Sequence, residues 1–541
     1  MNVKTQIQLS DHFTYGKLLR FVFPSIIMMI FTSIYGVVDG LFVSNFSGKT
    51  SFAAINLIMP FVMVLGGIGF MIGTGGTALV SKVLGEREPE KANRYFSMMI
   101  LFTVIVGVLL TVFGVTFMEP VALFLHATPQ MLPDCVLYGR IVIGFTTAFM
   151  LQNVFQSFLI AAEKPKLGLA ATVAAGLTNM ALDALFIAGF HWGVAGAAIA
   201  TGISQCVGGL FPLIYFLRPN SSKLRLVRTR LELRPILNAC GNGSSELMSN
   251  ISSSIVGMIY NFQLLKYLGE DGVSAYGVLM YVQFIFVAIF IGFSIGSAPI
   301  VGFHYGAQNH AELKNMLKMS TRLMCGAGVV LTFLAMVLAS PLAKLFVGYD
   351  EGLYTLTCHA FRLFSFAFLF AGFNIFASSF FTALNNGFIS AAISFLRTLV
   401  FQTSSVILLP LLFDVDGIWY AITVASSLSQ HTYNLSNPHA LDPSSPIDSF
   451  SDIRYTVQKA EAFCALGPVA TPVQKAARFF IDVKAAPMRS THSVVALIDV
   501  GTRGNALVIP VSSTAERSVD GVRMDVNMIS SISEKSSWTS K

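Results

Sequence analysis

Along most of this chain apolar residues come in runs longer than a half-buried strand or an amphipathic surface helix needs, and polar residues collect in the gaps. Crossing about 30 Å of hydrocarbon at 1.5 Å per residue takes roughly 20 residues. Runs of about that length lie near 18–44, 54–80, 95–117, 136–161, 168–190, 193–217, 236–264, 274–301, 319–340, 356–383 and 389–413, with a shorter one at 417–428. The pattern predicts an all-α integral membrane protein of about twelve spans, the last truncated. The charged start through Lys17 and Arg20 enters an apolar run too long for a signal peptide, so the first run is expected to remain as a membrane helix.

The gaps alternate in charge. Those after even-numbered spans carry Lys82, Arg87, Lys91 and Arg94, then Lys164 and Lys166, then Arg218, Lys223, Arg225, Arg228, Arg230 and Arg234. Those after odd-numbered spans hold little beyond Lys49, Lys266 and Lys344, among acids such as Glu119, Asp134, Glu270, Asp271, Asp350, Asp414 and Asp416. Basic loops stay on the cytoplasmic side, which predicts a cytoplasmic N-terminus.

Shifting the chain by 221 residues lays Gly48 on Gly269, Ala54 on Ala275, Met59 on Met280, Gly75 on Gly296, Gly85 on Gly306, Ala162 on Ala383 and Gly196 on Gly417. One ungapped offset that also aligns the span boundaries implies two parallel six-helix repeats, related by a pseudo-two-fold axis along the membrane normal. The expected organisation is a first lobe at 1–217, a cytoplasmic basic linker at 218–235, a second lobe at 236–428 with five full spans and a truncated sixth, and a polar tail at 429–541. The tail reads as a foreign C-terminus or a small regulatory domain, with an amphipathic stretch at 453–465 and two alternating apolar runs, 494–500 and 506–511, spaced as a hairpin.

Composition narrows the function. The chain is 54% hydrophobic and 12% charged, with mean hydropathy +0.68, which excludes a soluble enzyme. A net charge of +7 would suggest nucleic acid for a soluble protein, but the bases lie in short loops between spans, so no nucleic-acid partner is expected. Cys135, Cys206, Cys240, Cys325, Cys358 and Cys464 lack metal-ligand spacing and read as packing. His126, His191 and His304 sit near span ends and read as snorkelled or solvated. Gly73-Thr74-Gly75-Gly76 lacks the ending of a phosphate loop and lies within a span, so it reads as close helix packing.

A charge at the bilayer centre costs about 3 kcal/mol or more unless it faces protein or water. Only Asp39, Asp183 and Glu246 fall well inside the predicted spans. Asp39, Asp183 and Thr201 all lie at a depth of roughly 7–12 Å by helical rise. Asn179 and Asp183 are four apart and project from one face, with Gly176 extending the stripe. Two carboxylates, an amide and a hydroxyl at one depth suit a proton or a small hard cation. Glu246 opens a second polar cluster, followed by Ser249, Asn250, Ser252, Ser253 and Ser254, whose hydroxyls read as helix back-bonding.

These residues, with Val37-Val38-Asp39-Gly40-Leu41-Phe42-Val43, Gly73 to Ser97, Leu177-Thr178-Asn179-Met180-Ala181-Leu182-Asp183 and Gly193-Val194-Ala195-Gly196-Ala197-Ala198, resemble the multidrug and toxic compound extrusion (MATE) transporters over about residues 10–425. The resemblance implies a twelve-helix, cation-coupled exporter. Relatives that bind the coupling ion in the first lobe use positions matched here by Asp39, Asn179, Asp183, Thr201 and Tyr138. Others pair a seventh-span glutamate with a tenth-span aspartate; Glu246 matches the first, while span ten has no acid and Asn374 is its central amide.

The expected function is an antiporter, coupled to protons or sodium, exporting amphipathic and often cationic drug-like compounds by alternating access. Its setting would be the inner or plasma membrane, as a monomer in the lipid bilayer. No cofactor, catalytic residue or resident metal is expected, only transient sodium or a proton at the coupling residues. A flippase or exporter of lipid-linked or polar metabolites on the same scaffold would favour clustered bases inside spans, and Arg140, Arg362 and Arg397 are too few and too peripheral. An intramembrane enzyme would need a constellation such as HExxH, which is absent. A non-transporting receptor or structural protein would not need paired acids at one depth. The loop charges predict that cysteines placed at Asp134 and Asp271 react with an impermeant thiol reagent from outside intact cells while one at Arg228 does not, on a cysteine-free background; labelling at Arg228 reverses the orientation.

Overall fold

The computed structural model describes residues 7–46, 49–435, 494–499 and 506–511. The chain divides into two units, 1–473 and 474–541. In the second unit the described part is an antiparallel hairpin of β1 (Val494–Asp499) and β2 (Ala506–Val511), Val494 opposite Val511, as the paired apolar runs lead one to expect. The stretch 453–465 and the remaining tail lie outside the described residues.

The first unit is a multi-pass helical membrane protein. The first lobe holds α1 (Tyr15–Phe46), α2 (Lys49–Gly85), α3 (Pro89–Thr116), a short α4 (Met118–Phe124), α5 (Leu132–Gly144), α6 (Thr146–Ala161), α7 (Pro165–Asp183) and α8 (Gly193–Leu217). After an extended connector come α9 (Leu233–Gly306), α10 (His310–Val347), α11 (Glu351–Phe364), α12 (Ala367–Ala383), α13 (Gly387–Phe395), α14 (Thr403–Leu408) and α15 (Pro410–Leu435). Helix starts follow local chemistry. Prolines open α3, α5 and α7, where a missing N–H costs nothing. The side chains of Asn309, Asp350 and Asn386 accept from backbone N–H groups of Glu312, Leu353 and Ile389.

Several spans differ from uninterrupted rods. α5 and α6 form one span bent by 53° at Phe145, and α11 and α12 one bent by 47°. α7 continues as a π-helical stretch, Ala184–Gly189, and a second such stretch, Leu396–Gln402, joins α13 to α14. α9 contains two spans folded at Gly269, whose φ of 65° and ψ of −147° are open to glycine. The fold is a hairpin. Sixteen helical residues span about 24 Å, yet the rings of Tyr260 and Tyr276 stack at 4.9 Å. The loop expected between runs 236–264 and 274–301 thus shrinks to one turn. The twelfth span has the short apolar run expected of it, but its helix continues to Leu435, because Ser426, Ser427 and Ser429 are buried within the lobe.

The 221-residue repeat is visible in the structure. The bend at Phe145 recurs at Phe366, and the positive φ of Arg87 and Gly193 recurs at Gln308 and Asp414. Val108, Leu109, Val112 and Phe113 on α3 and their counterparts Val329, Val330, Phe333 and Leu334 on α10 are exposed stripes that face the acyl chains. The lobes meet where glycines permit backbone contact. A Cβ on Gly85 would fall onto the Phe303 carbonyl, and one on Gly306 onto the Lys82 carbonyl, its symmetry mate. Gly75 meets Ala239 and Gly243 in the same way, and Gly296 meets Val22. These contacts lie in the half of the spans nearest the 218–232 connector. Toward the opposite end Gly36, Gly40, Gly257 and Gly277 have no atom within 4 Å of a built Cβ, so these glycines mediate no backbone contact there.

Residues 7–14 cross both lobes at the connector end. Leu9 and Phe13 are buried. The Leu9 N–H donates to Glu163 Oε1 at 2.9 Å, and the Phe13 N–H to Glu312 Oε1 at 2.9 Å.

Alanine at Gly85 or Gly306 must push two backbones apart, so each change is expected to destabilise the protein by about 1–3 kcal/mol. Gly326→Ala, in open space on α10, should gain about 0.5–1 kcal/mol from lower chain entropy. Thermal unfolding in detergent ranks the three, and equal melting temperatures would discount the backbone contact.

Candidate functional site

Tyr35 and Asp39 are four apart on α1, and Asn179 and Asp183 four apart on α7. Gly176, one turn before Asn179, lets the Phe31 and Tyr35 rings lie directly against α7; any Cβ there would collide with both. That close approach sets Asp39 opposite Asp183 and Asn179, within hydrogen-bonding reach of each. Asp183 and Asn179 are 0% and 1% exposed, and Tyr138 on α5, also buried, stands beside both carboxylates.

The oxygens of this group are short of donors. Asp39 Oδ1, Asn179 Oδ1 and both carboxylate oxygens of Asp183 are enclosed without a hydrogen-bond partner, as is Thr201 Oγ1 on α8, which packs against α7. A buried pair of carboxylates facing each other without a donor is stable only with a shared proton or a bound cation between them. The acceptor set fits either, since small hard cations take carboxylate, amide and hydroxyl oxygens. All five first-lobe residues singled out from the sequence therefore lie on four neighbouring helices, four of them in one cluster and Thr201 on the adjoining helix.

The sequence reading missed Tyr35 and the amides around it. Tyr35 lies within hydrogen-bonding reach of Gln152. Gln152 and Gln156 on α6 and Gln205 on α8 are buried, each with Oε1 unpartnered. Their signal is a spacing of four: Tyr35 from Asp39 and Gln205 from Thr201, both positions singled out from the sequence, and Gln152 from Gln156.

The second lobe does not repeat this chemistry. At the 221-residue offset Asp39 becomes Tyr260, Asn179 becomes Val400 and Asp183 becomes Ser404. Tyr260 is fully buried, facing Gln402 and the backbone of Ile422. Glu246 instead lines a cavity of about 50 Å³ between the lobes with Thr74, Thr77, Ser157, Ser294 and Thr382, room for a few waters. The Arg397 charge faces Glu246. Asn374 is absent from that lining; its amide donates to the Ser426 carbonyl at 3.1 Å, so the two second-lobe candidates are not brought together.

Other expectations divide. Asn250 and Ser254 bond to the carbonyls of Glu246 and Asn250, one turn back, as read from the sequence. The glycines of 73–76 pack against α6 and α9 rather than holding an anion. His304 departs from the solvated reading: it is 2% exposed and within 3.4 Å of the Asn309 amide. Cys135, Cys206, Cys240, Cys325 and Cys358 are free thiols, and Cys464 lies outside the described residues.

A model of the MatE family matches residues 24–185 and again 247–406, more than half of the chain and once in each lobe. The chain belongs to the MatE family. Among its relatives is the multidrug export protein MepA of Staphylococcus haemolyticus, 26% identical over 309 residues, which are 56% of this chain and 67% of the relative. MepA of Staphylococcus aureus strain MRSA252 is 23% identical over 307 residues with the same coverage. Among solved structures, a multidrug resistance MATE transporter of the MOP superfamily in an outward-facing conformation superposes with a TM-score of 0.76 at 20% identity, over 85% of this chain and all of that one. A MOP superfamily transporter from Pyrococcus furiosus, whose binding pocket is described as reversed in polarity, superposes at 0.75 and 20% identity, over 86% of this chain and all of that one. At such identity the structures establish the MatE fold and leave the substrate to the side chains.

The facing carboxylates generate a stability test. Asp183→Asn replaces the facing carboxylate by an amide donor, in addition to that of Asn179, a gain of about 1–2 kcal/mol. Its melting temperature at neutral pH in cation-free detergent should rise; a fall would show that the pair is already satisfied.

Proposed function

We propose that this MatE protein is a cation-coupled antiporter that exports amphipathic, often cationic, organic molecules. The observation that carries the reading is the donor-poor carboxylate pair Asp39 and Asp183, present in one lobe and replaced by neutral residues in the other. A site that can hold a proton or sodium ion, buried in one lobe, is what coupling requires. The names of the MepA relatives support the substrate class.

In the proposed cycle the N-terminus and connector are cytoplasmic, and a cleft at the opposite end faces outward from the cell membrane. A proton or sodium ion enters from outside and lies between Asp39 and Asp183, with Asn179 orienting the carboxylates and Tyr138 walling off water. Its arrival allows α1 and α7 to close on each other, which alters the cleft wall and releases substrate. The lobes then exchange contacts, opening the connector end, and the ion leaves to the inside. Phe, Met and Tyr side chains facing the cleft provide an adaptable apolar surface for substrates of varied shape. The protein acts as a single chain in the bilayer.

The test is efflux of a cationic dye from proteoliposomes under an imposed proton gradient, then under a sodium gradient, which identifies the ion. Asp39→Asn and Asp183→Asn keep shape but cannot alternate in charge, so each is expected to lower efflux at least tenfold, about 1.4 kcal/mol, while dye binding persists. Glu246→Gln should retain most efflux. Efflux that survives both aspartate changes and disappears with Glu246→Gln would move the coupling site to the second lobe.

A further inference from the structure

The connector between the lobes is not a slack loop. Ser222 caps a turn through its N–H to Asn220 Oδ1 at 3.0 Å, and its hydroxyl donates to the Leu224 carbonyl at 2.6 Å. Leu224 is 0% exposed in the first-lobe core. The Arg225 N–H donates to Asn93 Oδ1 at 2.9 Å and the Val227 N–H to Ser97 Oγ at 2.8 Å, so the backbone is fastened along α3. Burial alternates with a period of two: Ser222 and Leu224 point in, Lys223 and Arg225 point out.

That fastening fixes a row of charge at a defined depth. Residues 218–234 carry six bases, Arg218, Lys223, Arg225, Arg228, Arg230 and Arg234, all exposed, against one acid, Glu232. Among the described residues none of the six forms an ion pair with a carboxylate. Ser97, which holds Val227, stands two residues inside the apolar run of α3, at the edge of the hydrocarbon. The stretch from Lys223 to Arg230 is therefore held beside the first turns of α3, near the membrane boundary, with Lys223 close to Asp11 and Glu163. Beside the arginines, Leu231, Leu233 and Leu237 are 46%, 71% and 59% exposed, placed to enter the acyl region below the phosphates.

We propose that the connector is a docking surface for anionic phospholipid headgroups of the leaflet at its own end of the molecule. Guanidinium groups match phosphate oxygens in a bidentate fork, and clusters of four to eight bases immediately beside a span are drawn to anionic leaflets. Because the row is fastened to the first lobe by Leu224, Asn93 and Ser97, the lipids it holds travel with that lobe.

The experiment uses the full chain with native cysteines replaced by serine and an environment-sensitive dye on Thr229→Cys. It is reconstituted into phosphatidylcholine vesicles containing a nitroxide quencher carried near the top of the acyl chain of either phosphatidylglycerol or phosphatidylcholine. Quenching by the phosphatidylglycerol form should be at least threefold stronger, and the preference should decline as salt is raised. Arg225→Gln, Arg228→Gln and Arg230→Gln together should bring the two lipids to equal quenching with the melting temperature in detergent unchanged; Arg228→Gln alone should give an intermediate ratio. Equal quenching of the unmodified arginine row, or a preference that survives the triple change, overturns the proposal.

Discussion

The two lobes approach most closely where side chains are absent. In lipid there is no hydrophobic drive to bring helices together, so association depends on close packing, and the closest packing is backbone on backbone. α2 and the second half of α9 achieve it at Gly85 and Gly306, each beneath a carbonyl of the other helix. Because these two contacts are symmetry mates, they form a paired bearing near the molecular axis instead of a continuous seam. Gly75 against Ala239 and Gly243, and Gly292 against Ser25 and Ile26, add further backbone contacts, whereas Gly36, Gly40, Gly257 and Gly277 make none.

On that symmetric frame the polar chemistry is one-sided. Asp39 and Asp183 face each other in the first lobe, and the equivalent positions in the second are Tyr260 and Ser404. A buried charge costs several kcal/mol, so the first lobe, with two facing carboxylates and few donors, bears a cost at that depth that its counterpart, with Tyr260 and Ser404 there, does not. Glu246, the acid within a second-lobe span, sits elsewhere, at the cavity on the lobe boundary with Arg397 facing it. Repetition supplies the scaffold, and divergence within the repeat decides which half carries the carboxylate pair.

Much of this was legible in the chain. Spans were readable because hydrocarbon thickness imposes a length on apolar runs, and the repeat because glycines at the lobe contact recur at one offset. Asp39, Asn179 and Asp183 stood out as polar groups where polarity is costly. Less legible was what depends on neighbours. Gly269 looks like any loop glycine until the stacked rings of Tyr260 and Tyr276 reveal a one-turn hairpin. Gln152 and Gln205 carry no charge, so only their spacing of four from another polar residue sets them apart from amides that merely join helices. The helix beyond 428 is polar by composition and is held by burial of Ser426, Ser427 and Ser429, a tertiary effect.

The segment 7–14 bears on how the protein is made. It is the first described part to leave the ribosome, yet the Phe13 N–H bonds to Glu312, 299 positions later, and Leu9 bonds to Glu163, 154 positions later. At roughly 5–20 residues per second, the segment waits about 15–60 s for the second of these partners to be synthesised. During that interval Leu9 and Phe13 have no completed site to fill. The first described residues to be translated thus find their place only once the chain has been made into the start of α10, and their docking records that the second lobe has begun to form.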